Sequence, residues 1–209
     1  MLTIEKMTVG PIATNCFIAA DESCGDCVVV DPGSDAPEIL KRISSKGWQL
    51  RAIWLTHAHF DHFGAVASIM KKFPQLPLGL HSLDFPLYQA GGGAKSWGIS
   101  VDCSHEPTTW WNHTSNLHLG HMQFDILFVP GHSPGHVAFF QPESGTLFGG
   151  DVLFKQGIGR TDLPGGSHDN LINSIRTQFL PLPEDTIVYS GHGEDTTIGY
   201  EKHANPFLA

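Results

Sequence analysis

The chain reads as an α+β protein in which two β-sheets pack together under a cover of helices. Three observations predict this: strand-like runs occupy both ends of the sequence, helical periodicities are interleaved with them, and no linker, repeat or low-complexity tract divides the chain. With 209 residues, 41% of them hydrophobic, the chain can bury one sizeable core, so a single domain over residues 1–209 is expected.

The elements follow in order. Leu2 to Val9, Asn15 to Ala19 and Cys27 to Asp31 carry β-branched and apolar residues bounded by Gly, Pro and Asp, as strands of a meander do. Asp35 stands three residues before Glu38, a capping-box-like start for a helix through about Lys46. Arg51 to Thr56 is a further strand, and Phe63, Val66, Ala67, Ile69, Met70 and Phe73 have helical spacing over Phe63 to Lys72. Met122 to Val129, Val137 to Gln141, Thr146 to Gly149 and Thr186 to Tyr189 supply more strands, and Asp169 to Gln178 a helix.

Composition narrows the function classes. Twelve basic against 21 acidic residues give a formal charge of −9, which disfavours nucleic acid as a partner and points to a small molecule. The first residues, Met1-Leu2-Thr3-Ile4-Glu5-Lys6, do not resemble a secretory leader, and no apolar run approaches the roughly 20 residues a bilayer span needs. A cytoplasmic protein without membrane association is therefore expected. Cys24 and Cys27 form a lone CxxC with no second pair to complete a zinc set, so no redox or structural role is assigned to them.

The anomaly is histidine: thirteen residues, one more than the lysines and arginines together. In "LTHAHFDHFG", Leu55 to Gly64, three of them and an aspartate follow an apolar run. Side chains two apart on an extended segment share a face, so His57 and His59 can grip one ion, with Asp61 and His62 directed at a second. A closed structural zinc site would be completed by four such donors. Further candidates nevertheless stand at three other strand ends: His132 in "PGHSPGH", Asp151 in "LFGGDVLF" and His192 in "YSGHGEDT". Any one of them alone reads as a loop residue. Jointly they argue for an open centre assembled at a sheet edge.

These motifs together resemble the metallo-β-lactamase-fold hydrolases, from near Ile12 to the end of the chain. The resemblance implies an αββα sandwich of two mixed β-sheets flanked by helices. It implies that His57, His59 and His132 hold a first metal, that Asp61, His62 and His192 hold a second, and that Asp151 bridges them. His136 fits the family pattern as a supporting residue, while His81, His105, His113, His118, His121, His168 and His203 are assigned surface or packing roles. "GIGRTDLPGGSHDNL" and "GHGEDTTIGYEKHANPFL" look most like the short single-domain relatives of glyoxalase II, the hydroxyacylglutathione hydrolase-like proteins. Glyoxalase II carries a basic residue and, two later, an aromatic in this loop. Arg160 matches the first, but Asp162 replaces the second, and no counterpart of the C-terminal helical domain follows, so dependence on glutathione is expected to be weak.

That ligand set implies two divalent ions, with zinc expected and iron or manganese compatible. Two such ions share a water, bring its pKa from about 16 toward 7 and polarise an acyl carbonyl, so that a bridging hydroxide attacks without a serine or cysteine nucleophile. Asp61 is placed to orient that hydroxide. The expected reaction is hydrolysis of acyl thioesters such as S-lactoylglutathione, whose thiolate leaves without a strong general acid. Two alternatives stay open: a persulfide dioxygenase using a single iron on His57, His132 and Asp151, and a non-catalytic metal-binding module. Phe60, inside the metal motif, and Arg160 are candidates for substrate contact. Trp97, Trp110 and Trp111, in the glycine-rich stretch 87–111, are read as a cluster anchoring a long loop, with an apolar wall for an acyl group as the alternative.

Overall fold

The structure is a computed structural model, which describes residues 1–111 and 116–208. The packing role expected for His113 lies outside the described residues. The first sheet has the order β1 (Leu2–Val9), β2 (Thr14–Asp21), β3 (Asp26–Val30), β4 (Gln49–Trp54), β5 (Leu78–His81) and β6 (Thr109–Trp111). Its first three strands are antiparallel and its last three run parallel to β3. The second sheet contains β7 (Asn116–Leu119), β8 (Met122–Phe128), β9 (Val137–Gln141) and β10 (Thr146–Gly150), joined by β13 (Ile187–Ser190) and β14 (Thr196–Thr197). Only the pairing of β10 with β13 is parallel there, so both sheets are mixed. Between β10 and β13 lies a small hairpin, β11 (Leu153–Phe154) and β12 (Gly157–Ile158).

β2 shows why the two sheets stack. All eight of its residues are buried, and they alternate between two cores. Phe17 and Ala19 meet Trp54, Trp111, Phe124, Phe139 and Phe148 between the sheets. Cys16, Ile18 and Ala20 instead meet Ile39 and Ile43 of α1 (Ala36–Ser45) on the outer face. The second sheet is covered in the same way, by Leu171 of α5 (His168–Ser174), Ile175 and Phe179 of the following π-helical turn, and Ile198 of α6 (Ile198–Ala204). The layers are therefore helix, sheet, sheet, helix. No helix among the described residues is long and apolar enough to cross a membrane.

Three elements differ from expectation, each for a local reason. Asp35 does not cap α1 with its side chain: it sits at φ 57° and its carboxylate accepts the Gly10 N–H at 2.9 Å, tying the β1–β2 turn to the helix. The helix expected from Phe63 is two, α2 (Phe60–Phe63) and α3 (Val66–Lys72), because the break at Gly64 and Ala65 lets the Ala65 N–H donate to the Pro32 carbonyl at 2.9 Å. A Cβ on Gly33 of that same loop would fall 1.6 Å from the Asp61 carbonyl oxygen, so only glycine permits this approach. Finally, Trp111 is no loop anchor. It belongs to β6, packs between the sheets and donates from Nε1 to the Leu55 carbonyl at 3.1 Å. Trp110 is exposed against Phe85 of α4 (Phe85–Gln89), with ring centroids 5.2 Å apart.

Candidate metal centre

The histidine-rich motif spans a change of backbone geometry. β4 ends at Trp54, the chain stays extended through His59 at φ −77°, ψ 143°, and α2 begins at Phe60. His57 and His59 thus project from extended chain, whereas Asp61 and His62 project from the first helical turn. His132 follows the end of β8, Asp151 follows β10 directly, and His192 lies two residues beyond β13. Both sheets deliver donors to one edge.

The donors fall into two groups. Ligand-type atoms of His57, His59 and His132 lie within 4.8 Å of one another, and so do those of Asp61, His62 and His192. Asp151 reaches both groups: one carboxylate oxygen is 3.4 Å from Nε2 of His62, and the other is 3.5 Å from Nε2 of His132 and 3.6 Å from Nε2 of His192. Nε2 of His57, Nε2 of His62 and Oδ1 of Asp151 are buried without a hydrogen-bond partner among the described residues. Buried polar atoms are almost always partnered, so orphans on three clustered candidate ligands fit a site that could hold a cation. Imidazole nitrogens and carboxylate oxygens suit zinc, iron or manganese.

The rings are aimed from behind. His132 donates from Nδ1 to the Arg160 carbonyl at 2.7 Å, leaving Nε2 for the centre. His62 donates from Nδ1 to Asp31 at 3.0 Å, and Asp31 also accepts from the Thr56 N–H at 2.8 Å and the Thr56 hydroxyl at 2.6 Å. Asp31 holds a left-handed φ of 51° to do so. Thr14 donates its hydroxyl to Asp61 at 2.9 Å, while Asn15 donates from Nδ2 to the carbonyls of Ser190 and Gly193, pinning the His192 loop across to the first sheet. At Gly191 a Cβ would lie 2.1 Å from Asp151 Oδ1, so that loop also requires glycine. Among the residues expected only to support, His136 accepts the Asp151 N–H at 3.0 Å and stacks on His57.

Electrostatics divide the histidines. Burial drives the His57 imidazole well below its ordinary pKa, and the rings of His62 and His136 push the same way. Burial and His132 lower His59 to about 3. At His62 burial also opposes protonation, but the carboxylates of Asp151, Asp61 and Asp31 outweigh it and raise the pKa. Asp61 is lowered to about 2, since His62 and His192 overcome the burial that opposes its ionisation.

A cleft of about 480 Å³ opens onto this centre, lined by His59, Asp61, His132, Asp151 and His192 together with Ile12, Phe60, Leu87, Trp97, Phe154 and Leu163. Of the three tryptophans in the glycine-rich stretch, only Trp97 lines it, its ring 6.3 Å from that of Phe60. Arg160 lines it too, with its guanidinium engaged by Asp162 through two bonds of 2.8 and 2.7 Å. Sequence reading missed Asp31, Asn15, Thr14 and Asp84 (described below). Each ends or begins a strand or turn, where a polar residue is unremarkable until its partner from a distant segment is known. Cys24 is exposed and Cys27 buried, both free, and Cys24 lies near Asp21 and His121 rather than in a redox pair.

Comparison with known proteins agrees with this architecture. A family model described as the metallo-beta-lactamase superfamily matches residues 9–192. The hydroxyacylglutathione hydrolase GloC of Haemophilus influenzae is 39% identical over 209 residues, covering 99% of this chain and 98% of that one. The probable metallo-hydrolase YqgX of Bacillus subtilis is 38% identical over 207 residues, covering 97% and 96%. Among solved structures, BLEG-1 B3 metallo-beta-lactamase superposes with a TM-score of 0.93 at 39% identity, covering 99% of this chain and all of that one (100%). TTHA1623, determined in a di-iron-bound form, gives 0.90 at 40% identity and coverage of 98% and 100%. With its sandwich of two mixed sheets and histidine-aspartate edge, the chain belongs to the metallo-beta-lactamase superfamily of metal-dependent hydrolases.

Proposed function

We propose that the chain is a dinuclear metal-dependent hydrolase of acyl thioesters. The observation that carries this reading is the position of Asp151 between two three-donor groups, with Oδ2 near both His132 and His192 and Oδ1 near His62. His57, His59 and His132 would hold one divalent ion and Asp61, His62 and His192 the other, zinc being the proposed metal and iron or manganese also compatible with the donors. Two bound cations would supply an acidified water and an electrophile for the acyl carbonyl. The residues themselves position the reaction: Asp61, steadied by the Thr14 hydroxyl, is placed to accept a hydrogen bond from that water. Phe60 and Trp97 offer an apolar border for the acyl group or its carrier, and Arg160 stands at the same cleft.

A mononuclear iron dioxygenase needs only two histidines and a carboxylate with open positions, which would leave the second donor group without a ligand role. The assembly of Asp61, His62 and His192 into a compact group favours the hydrolase. The likeness to the hydroxyacylglutathione hydrolase GloC supports a thioester, and the ion pair of Arg160 with Asp162 supports a weak dependence on the carrier's carboxylates. Metal content by elemental analysis, measured beside turnover of a panel of acyl thioesters, tests the proposal. Two ions per chain and thioester turnover are expected, and a metal-free protein with full activity would refute it.

A further inference from the structure

The histidines of the first donor group come from different sheets. His57 and His59 belong to the loop after β4, and His132 to the loop after β8, 73 residues on from His59. A third segment touches both loops. Between β5 and α4 the chain makes a tight turn at Ser82–Asp84, and Asp84 is fully buried there. Its Oδ2 accepts the N–H of Ala58, the residue between His57 and His59, at 2.9 Å. The same oxygen accepts the hydroxyl of Ser133, next to His132, at 2.7 Å, and Oδ1 accepts the Gly135 N–H at 2.5 Å.

One carboxylate therefore carries three donors from two ligand loops. The turn that presents it is itself held at both sheets: His81 ends β5 and accepts the Leu83 N–H at 3.2 Å, while its ring stacks on Phe128, the last residue of β8, at 4.7 Å. Hydrogen bonds to an ionised acceptor are about twice as strong as neutral ones, and removal of the acceptor would leave three buried donors unsatisfied. Asp84 makes no contact with the cleft that substrate would occupy.

We propose that Asp84 is a positioning residue, which sets the spacing of His57 and His59 against His132 and thereby the affinity of that group for its ion. The inference rests on the metal-centre part of the proposed function and on nothing about substrate. Its test is titration of zinc into the chelator-treated full-length chain, against a competing chromophoric chelator, with a thermal melt of each metal-free variant. The comparison is made in a His192→Ala background, where the other donor group is weakened. Asp84→Asn should lower the affinity of the remaining ion by about 10- to 100-fold, as removal of an outer partner of a ligand typically does. Ser133→Ala, which removes one of the three donors, should lower it less. In the chain with His192 intact, the second ion should keep its affinity within about 3-fold in Asp84→Asn.

Unchanged zinc affinity in Asp84→Asn, or an equal weakening of both ions that follows the loss of thermal stability, overturns the inference. Should Asp84→Asn fail to fold, Ser133→Ala decides alone: weaker binding at the remaining ion supports the role and wild-type binding refutes it. A parent chain that takes up no zinc overturns the metal-centre reading and this inference with it, whereas uptake by the parent with indifferent variants overturns the inference alone.

Discussion

Nδ1 of His59 and Nε2 of His132 face each other at 2.8 Å, although 73 residues separate them in sequence. With its Nδ1 donating to the Arg160 carbonyl, a neutral His132 presents Nε2 as an acceptor toward His59. His59 and His132 would hold an ion in the space between these two nitrogens. Chelation should therefore abolish thioester turnover and return of zinc restore it, with up to two ions per chain recovered by elemental analysis. Retention of activity by a metal-free preparation would contradict the expectation.

Asp151 and His136 should separate on substitution. Asp151 reaches both donor groups, whereas His136 accepts the Asp151 N–H and packs its ring against His57 and His132. Replacing His136 with alanine should cost about 10- to 100-fold in metal affinity or activity, the usual effect of an outer partner. Asp151→Ala should cost more, measured as kcat/KM and as ions retained per chain. Equal losses would remove Asp151 from the bridging position.

His192 distinguishes the hydrolase from its dioxygenase alternative. His192→Ala should strongly reduce thioester hydrolysis, because it strips the second group to Asp61 and His62. Iron-loaded protein given glutathione persulfide should consume no oxygen at an electrode. Rapid oxygen uptake together with unimpaired turnover by His192→Ala would reverse the assignment.

Metal uptake at the second group should release protons. Burial opposes protonation of His62, but the nearby carboxylates outweigh it and raise its pKa, so they favour a proton with which an incoming ion competes. Affinity should fall as pH falls, since more proton must then be displaced. Calorimetric titration in buffers of different ionisation enthalpy, at several pH values, measures the number of protons released. An affinity that rises toward acid pH would show that the carboxylates around His62 do not govern it.

The carrier half of the substrate should matter little. Asp162 engages the Arg160 guanidinium along one edge, through Nε and one terminal nitrogen, and the cleft beside it is bordered by Ile12, Phe60, Leu87 and Trp97. S-lactoylglutathione and the same acyl group on a smaller thiol should differ in kcat/KM by less than about 1000-fold, the equivalent of roughly 4 kcal/mol of transition-state binding. Trp97→Ala should raise KM more than it lowers kcat. A larger gap between the two carriers would show that the glutathione portion is recognised.

Much of this was legible in the one-dimensional pattern because it depends on local periodicity. Runs of β-branched and apolar residues with Gly, Pro or Asp at their ends identify β2, β3, β8 and β9, and the clustering of His57, His59, Asp61 and His62 at a strand end marks them as candidate metal donors. His132, Asp151 and His192 were legible as candidate donors for the same reason, each following an apolar run among glycines. The short strands β5, β6 and β7 were not read, and it is parallel pairing that makes Trp111 of β6 part of the inter-sheet core. Nor could any spacing show that Asp35 would turn from its helix to Gly10, or that Asp84 would join the loop of His59 to that of His132. Residue type and local order determined which residues are candidate donors and which strands carry them. Their convergence, and the buried carboxylates of Asp31 and Asp84 behind them, belong to contacts between segments far apart in the chain, which only the packing of the two sheets brings within hydrogen-bonding distance.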